Sequence, residues 1–158
     1  MLGSLRKPLS GEVSLHVDVS LDDVWALVSD VTRIGEFSPE TFEAEWLDGA
    51  TGPAVGARFR GHVKRNGRGP TYWTTCKVVD SEPGKSFGFA VVNSGRDVNT
   101  WRYQLAPSGD GTDVTESFQL APMAALKLYW AVMGRWRGKT NINGMRQTLE
   151  RIKTVVEA

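Results

Sequence analysis

The feature of the sequence that most constrains the fold is an apolar stripe near its C-terminus. Large apolar residues recur there at steps of three and four, the spacing of one face of an α-helix, at Ile142, Met145, Leu149, Ile152 and Val156. Burying such a stripe stabilises a fold by about 1.5–3 kcal/mol for each large side chain. No other predicted helix is long enough to cover it. We therefore expect this helix to pack against a β-sheet.

The rest of the chain supplies that sheet. Strict alternation of apolar and polar residues from Glu12 to Val19 predicts a first strand. Ser20 and Asp30 are suitable N-caps for two short helices, which we expect to end near Ser29 and Ile34. Turn residues then separate six predicted strands, near 42–48, 55–65, 71–82, 86–93, 97–106 and 112–120. Because the connections are short, we expect neighbouring strands to pair antiparallel.

Alternation also predicts which side chains face the C-terminal helix. In the strand 55–65, His62 falls among arginine and lysine residues, so we expect a solvated surface histidine. In 71–82 the pattern is ambiguous. Turning Cys76 and Val78 inward avoids burying Lys77, but it requires a β-bulge near Asp80.

One residue contradicts the apolar pattern of the last strand. Glu116 shares its predicted inward face with Val114, Phe118 and Leu120. A buried, unpaired carboxylate would cost several kcal/mol, so we expect Glu116 to be protonated, paired or in contact with a water-filled cavity. Three roles stay open: contact with a ligand hydroxyl or keto group, a structural carboxyl group, and a base acting on an acidic carbon.

Other chemistry is poorly supported by the composition. With 19 basic and 18 acidic residues the formal charge is +1, which gives no electrostatic basis for a nucleic-acid partner. The two histidines, His16 and His62, are too far apart in sequence to suggest a metal cluster, and His16 falls on a polar strand face. Cys76 is the single cysteine, so we expect an inert thiol. No phosphate loop or dinucleotide motif is present, so we expect no metal and no cofactor.

Two segments fall outside this pattern. Residues 1–10 predict a flexible leader without a long apolar core, which favours a cytoplasmic protein, and 11–158 predict a single domain. Residues 123–136 are apolar on nearly every side of a predicted helix, yet too few and too basic to span a bilayer. We expect this segment to act as a cavity lid or to contact a membrane or protein partner.

The order of elements and several short stretches resemble a known family. The stretches are 28–40 (VSDVTRIGEFSPE), 78–84 (VVDSEPG), 101–103 (WRY) and 111–117 (GTDVTES). They are similar to the polyketide cyclase/dehydrase branch of the START-like, Bet v 1-like (SRPBCC) superfamily, particularly its small actinobacterial members, over residues 10–157. This resemblance implies an α+β helix-grip fold: a seven-stranded, curved antiparallel sheet wrapped around a long C-terminal helix, with two short helices after strand 1. It also implies a pocket for an apolar or amphipathic molecule, but it carries no single catalytic signature.

Three hypotheses about function follow. The first is binding or transport of a hydrophobic small molecule, such as a lipid, a fatty acyl chain or a polyketide, between the sheet and the C-terminal helix. We expect the ligand to contact Phe59, Val63, Cys76, Phe89, Trp101, Tyr103, Glu116, Phe118, Met145 and Leu149. The second is a polyketide cyclase or dehydratase in which Glu116 and Tyr103 hold enol and keto oxygens. The third is an interaction module that dimerises through 123–136, so both a monomer and a homodimer stay open.

Overall fold

The computed structural model describes residues 10–64, 69–120 and 142–158. The strands are β1 (Ser10–Val17), β2 (Thr41–Trp46), β3 (Arg58–Val63), β4 (Tyr72–Glu82), β5 (Ser86–Asn93), β6 (Arg96–Ser108) and β7 (Gly111–Leu120). Between β1 and β2 lie an α-helix, α1 (Leu21–Val28), and a 3₁₀ helix (Val31–Glu36). The C-terminal helix, α2, covers 142–156 of the described residues. The predicted segment 123–136 lies outside the described residues, as do residues 1–9 of the predicted leader.

The seven strands form one antiparallel sheet in the order β1-β7-β6-β5-β4-β3-β2. From β2 to β7, each strand pairs with the next one along the chain, because the connections between them are short. β1 instead pairs with β7, so the first and last strands lie side by side. Together with α2, this confirms the predicted α+β helix-grip arrangement.

The apolar stripe of α2 faces the sheet, as its spacing predicts. Met145, Leu149 and Ile152 are fully buried, and Ile142 and Val156 at its two ends are half-buried. The buried side chains join a core to which every layer contributes: the sheet supplies Val17, Val78, Phe87 and Val114, and the helices supply Val24, Leu27 and Val31. Among the described residues, none of the helices is long and apolar enough to cross a membrane.

The two short helices begin at the predicted caps. The Ser20 hydroxyl accepts a hydrogen bond from the Asp23 amide at 3.3 Å, and the Asp30 carboxylate accepts one from the Thr32 amide at 3.1 Å. The second helix is of the 3₁₀ type and ends at Glu36 rather than near Ile34. These caps therefore fix where the chain leaves β1 and turns toward β2.

The predicted bulge in β4 is also present. The pairing between β4 and β5 shifts register between Val78 and Asp80, which turns Cys76 and Val78 inward. Lys77 then lies on the outer surface, where its ammonium group is 3.2 Å from Asp97. The extra residue thus keeps the lysine in solvent without interrupting the sheet.

The predicted start of the third strand is wrong by three residues. β3 begins at Arg58 and not at residue 55. Gly56 has a φ of 92°, a left-handed conformation that ends extended structure, and the Ala57 amide donates to the Ala54 carbonyl at 2.9 Å to close a turn. Val55 is consequently left exposed at 66% of its full area.

The prediction of solvated histidines is only partly correct. His62 lies on the outer face of β3 as expected, but its side chain is only 19% exposed. Its ring is stacked on Trp73, with ring centroids 4.2 Å apart and ring planes 12° apart. The centroid of the Phe42 ring lies 4.4 Å from that of the imidazole, and Nδ1 of His62 is 2.7 Å from a carboxylate oxygen of Glu43. Trp73 is the cross-strand partner of His62 on β4, so the pairing register creates the stack.

His16 is more exposed, and it too has partners. Its two ring nitrogens lie 2.8 Å from Asp113 and 3.1 Å from Asp18. Hydrogen bonding to Asp113 is the main cause that raises the pKa of the imidazole above its ordinary value. The histidine therefore links the end of β1 to β7 on the surface.

Candidate ligand-binding cavity

A cavity of about 370 Å³ lies between the inner face of the sheet and the first turns of α2. Strands β3 to β7 supply most of its wall, the connection between the 3₁₀ helix and β2 supplies one edge, and α2 supplies another. The lining side chains are Ile34, Ser38, Pro39, Glu40, Thr41, Phe59, Val63, Tyr72, Thr74, Cys76, Phe89, Val91, Val98, Asn99, Trp101, Tyr103, Glu116, Leu120, Met145 and Thr148, with Gly61 and Gly144.

Aromatic rings from strands β3, β5 and β6 form much of the wall. Phe59 on β3 and Phe89 on β5 meet edge to face, with ring centroids 5.3 Å apart. Phe89 is paired in register with Trp101 on β6, which is half-buried, and Tyr103 follows two residues later on the same face. The alternation of β6 turns both residues inward, so aromatic side chains on β3, β5 and β6 face the cavity.

Deep in this wall, Tyr103 and Glu116 face each other across β6 and β7. They are direct cross-strand partners, and each is only 4% exposed. The phenol of Tyr103 lies close enough to the carboxyl group of Glu116 to lower its pKa, in opposition to the effect of burial. The second carboxyl oxygen, Oε2 of Glu116, is buried and has no hydrogen-bond partner among the described residues.

This environment controls the charge of the pair. Burial raises the pKa of Glu116 well above its ordinary value, and the adjacent Tyr103 phenol offsets only part of that effect. Burial, together with the adjacent Glu116 carboxyl group, raises the pKa of the Tyr103 phenol well above 10. Both shifts favour the uncharged forms of the two groups, and the pair adds hydrogen-bonding capacity to the aromatic part of the wall.

Cys76 also lines the cavity, and its thiol is a weak nucleophile there. Burial raises the pKa of Cys76 to about 12, because the apolar surroundings disfavour the thiolate. Its sulfur lies 4.0 Å from the Thr74 carbonyl oxygen, a weak hydrogen-bonding distance. The expected role in packing fits this environment.

One edge of the cavity is held in place by the chain between the 3₁₀ helix and β2. The Ser38 hydroxyl accepts a hydrogen bond from the Thr41 amide at 2.9 Å, which folds this connection back toward the sheet. Arg151 of α2 donates to the Ser38 carbonyl at 3.1 Å. A Cβ atom at Gly35 would lie 2.2 Å from the Phe42 carbonyl oxygen, so this close approach requires glycine.

Eight of the ten residues predicted to contact a ligand line the cavity, and Phe118 and Leu149 do not. Phe118 packs behind Trp101, with ring centroids 5.4 Å apart. Leu149 lies one turn beyond Met145 on α2 and joins the main core. Sequence alternation identified the inward face correctly, but it does not show whether an inward side chain meets a cavity or another side chain. Ligand contact at all ten positions stays a prediction.

The described residues contain no group of three or more histidine, cysteine, aspartate or glutamate side chains arranged to hold a metal ion. The polar groups that the described residues bring to the cavity are hydroxyl groups, the Asn99 amide, the Cys76 thiol and the carboxyl groups of Glu40 and Glu116.

Comparison with known proteins defines the family. Residues 8–157 match the sequence profile of the family described as polyketide cyclase / dehydrase and lipid transport. The chain belongs to this family. It is also 32% identical to the polyketide-cyclase-like protein Cgl2372 of Corynebacterium glutamicum, whose solution structure aligns with a TM-score of 0.64 over 94% of this chain and 91% of that one. Among curated proteins, none matches the chain.

More distant structures share the fold of this polyketide cyclase/dehydrase family. CV1439 of Chromobacterium violaceum is 14% identical, with a TM-score of 0.72 over 96% of this chain and 99% of that one. The di-domain aromatase/cyclase StfQ of the steffimycin biosynthetic pathway is also 14% identical, with a TM-score of 0.74 over 98% of this chain and 53% of StfQ. These neighbours show that the fold is shared across the family and beyond close sequence similarity.

The family stretch at 28–40 contains a signal for residues that the strand pattern missed. Alternation predicted cavity positions on strands and on α2 only, whereas Ile34, Ser38, Pro39 and Glu40 line the cavity from that stretch. Ser38, Pro39 and Glu40 lie after the second predicted helix and in no predicted strand, so the family resemblance is the signal that points to them. Val98 and Asn99 carried no comparable signal.

Proposed function

We propose that the protein binds, and carries, an apolar or amphipathic small molecule such as a lipid, a fatty acyl chain or a polyketide in this cavity. The observation that supports this most directly is the cavity itself, because close-packed protein interiors contain few voids larger than a water molecule. Its volume of about 370 Å³ lies within the range of small-molecule pockets, roughly 300–1,000 Å³.

The composition of the lining favours an apolar body with a small polar part. Phe59, Phe89 and Trp101 offer wide aromatic faces, which suit a planar or multi-ring ligand or a folded chain. Polar side chains also line the cavity, and some of them are already satisfied within the protein. Thr148, for example, donates its hydroxyl proton to the Gly144 carbonyl at 2.9 Å.

The first experiment is native mass spectrometry of the purified protein, followed by solvent extraction and identification of what is released. We expect a co-purifying apolar molecule, or saturable binding of the neutral fluorescent probe N-phenyl-1-naphthylamine by the extracted protein. Trp101→Ala should weaken that binding while the fold survives, because it removes one aromatic face of the cavity. Binding that is unchanged by this substitution would count against the cavity as the site.

A cavity-filling pair of variants gives a sharper test. Thr74 lies on the inner face of β4 opposite Gly61, so a phenylalanine there would project into the cavity. Thr74→Phe should lower probe affinity by more than about tenfold, equivalent to 1.4 kcal/mol, because ligand and ring compete for one space. Thr75→Phe adds the same ring one residue along, on the outer face opposite Arg60, and should leave affinity unchanged. Equal effects of the two variants would refute the proposed site.

A second candidate function is polyketide cyclisation or dehydration, which the convergence of Tyr103 and Glu116 in the cavity favours. A chain held folded against these two groups would have its keto and enol oxygens positioned for reaction. The test is incubation of a poly-β-keto thioester with stoichiometric protein and analysis of the products. Product formation that disappears in Thr74→Phe would support catalysis in the cavity. Products identical to those formed without the protein would argue against catalysis and leave ligand binding as the proposed function.

Dimerisation or membrane contact through 123–136 remains a prediction, because that segment lies outside the described residues. Light scattering on the purified protein measures its mass in solution and so tests the dimerisation hypothesis. A strict monomer at all concentrations would remove the homodimer hypothesis.

A further inference from the structure

The described part of the chain exposes four large apolar side chains, and three of them lie at one end of the sheet. Phe42, Tyr72 and Trp73 are 46%, 45% and 42% exposed, whereas the fourth, Val55, precedes β3 at the opposite end. Phe42 contacts the ring of His62, and His62 is the cross-strand partner of Trp73, so the three aromatic residues are close neighbours. We call Phe42, Tyr72 and Trp73 the aromatic rim.

The aromatic rim borders the mouth of the cavity. Thr41, Val63 and Tyr72 form one row of cross-strand partners, where β2 begins, β3 ends and β4 begins. All three line the cavity, and the exposure of Tyr72 places this row at its opening. Phe42 and Trp73 follow Thr41 and Tyr72 directly in sequence but do not line the cavity. The rim therefore adjoins the opening, and only Tyr72 belongs to both the rim and the cavity wall.

Neighbouring side chains hold the two outer rings of the rim in place. The register between β2 and β3 shifts between Thr41 and Glu43, and Phe42 lies at this shift beside His62. The imidazole of His62 is stacked on Trp73, and Cζ of Arg60 lies 4.3 Å from the centre of the Trp73 ring. Rings that are already ordered lose less side-chain entropy when they bind a partner.

The carboxylates beside these rings are paired with basic side chains. Glu43 lies 2.7 Å from Nδ1 of His62, and Glu45 bonds the guanidinium group of Arg60. Lys64, the residue after β3, is exposed. Unpaired carboxylates would be costly to remove from water and would repel lipid phosphate groups, and these pairs reduce both effects.

The size and chemistry of the rim decide what kind of partner it fits. Three aromatic side chains, each a little under half exposed, offer roughly 200–300 Å² for contact. A stable protein complex buries about 800 Å² on each partner, so the rim alone is too small to hold a second copy of the chain. A lipid surface accepts single rings, and tryptophan and tyrosine are enriched at membrane interfaces because their rings are apolar and carry one polar group.

We propose that the aromatic rim docks the protein on the surface of a lipid bilayer, with the mouth of the cavity toward the membrane. Phe42 and Trp73 contact the lipid from the outer face of the sheet, and Tyr72 contacts it from the inner face. This orientation rests on the carrier function proposed above, because an apolar molecule that leaves the cavity beside Tyr72 would then enter lipid without crossing water.

Flotation with phosphatidylcholine vesicles tests the docking surface. The double variant Phe42→Ser with Trp73→Ser removes two rings of the rim and no side chain of the cavity lining. It should lower the vesicle partition coefficient at least about tenfold, because interfacial binding strengthens with buried apolar area. Val55→Ser is the matched control, since it removes an exposed apolar side chain from the opposite end of β3, and it should leave partitioning unchanged. Equal partitioning of wild type and double variant, or an equal loss in Val55→Ser, would overturn the proposal.

Two further measurements show whether a loss of partitioning comes from the rim or from unfolding. The double variant should bind N-phenyl-1-naphthylamine in solution as wild type does, which requires an intact cavity. Vesicles of brominated phosphatidylcholine should quench part of the wild-type tryptophan fluorescence, and Trp73→Phe, which keeps an apolar ring, should reduce that quenching while the protein still partitions. If the double variant loses probe binding, the quenching decides. Quenching that is the same in wild type and Trp73→Phe would refute contact between the rim and lipid.

The outcomes separate docking from the carrier function. A wild-type protein that binds the probe but does not partition onto vesicles would refute docking and retain the carrier function. Partitioning that depends on the rim, in a protein that binds neither probe nor lipid in its cavity, would retain docking and refute the carrier function. A concentration-dependent dimer that the double variant converts to a monomer in light scattering would make the rim an interface between copies, which would overturn the proposal.

Discussion

Replacing Glu116 with glutamine should change how the stability of the protein depends on pH. The folded chain holds the Glu116 proton to a higher pH than the unfolded chain, where the ordinary value is near 4.5. Above that pH the unfolded state releases the proton while the folded state still binds it. The contribution of Glu116 to stability is therefore fully present at low pH and is lost as pH rises toward its folded pKa.

The size of the effect follows from linkage. A difference of one bound proton changes the free energy of unfolding by about 1.4 kcal/mol for each pH unit. Wild-type stability should therefore fall, relative to Glu116→Gln, by up to about 1.4 kcal/mol for each unit above pH 5, until the folded pKa is reached. Any cost of burying the amide is the same at every pH. It changes the free energy of unfolding of the variant by the same amount at every pH, so the slope with pH is unaffected.

Urea denaturation between pH 5 and pH 8 at constant ionic strength measures this difference, after removal of co-purified lipid. Glu12→Gln is the matched control, because Glu12 is an exposed glutamate on the neighbouring strand β1. The control accounts for the general effect of losing one carboxyl group. Parallel stability curves for wild type and Glu116→Gln would show that the folded state does not hold the Glu116 proton to a higher pH than the unfolded state, which would refute this reasoning.

Two further predictions concern the walls of the cavity. Cys76, whose pKa is raised to about 12, should resist iodoacetamide at pH 8 in the folded protein and react readily in urea, as followed by mass spectrometry; fast labelling of the folded protein would contradict its burial. Gly35→Ala should destabilise the protein by about 1–3 kcal/mol and weaken probe binding, because its Cβ would meet the Phe42 carbonyl at the cavity edge. Gly52→Ala, where a Cβ would meet nothing within 4 Å, is the control and should change the free energy of unfolding by less than about 0.5 kcal/mol in urea titrations. Equal effects of the two alanine variants would contradict the close approach.

Several features of this fold could be predicted from sequence because they depend on local spacing. The stripe of α2 is readable because a helix places every third or fourth residue on one side, and burial then requires that side to be apolar. The same reasoning predicted the caps at Ser20 and Asp30. It also identified the β4 bulge, because the alternative would bury Lys77. Glu116 was recognisable because a carboxyl group interrupts an apolar alternation.

Other features depend on distances between elements that are remote in sequence. His62 is covered because the β3–β4 register places Trp73 beside it, and no pattern within β3 contains that register. Phe118 and Leu149 face inward like their neighbours, yet they meet other side chains and not the cavity. Alternation specifies a face, whereas the separation of α2 from the sheet depends on the combined packing of all the elements. The cavity, and the placing of Tyr103 beside Glu116 within it, were therefore decided by tertiary packing.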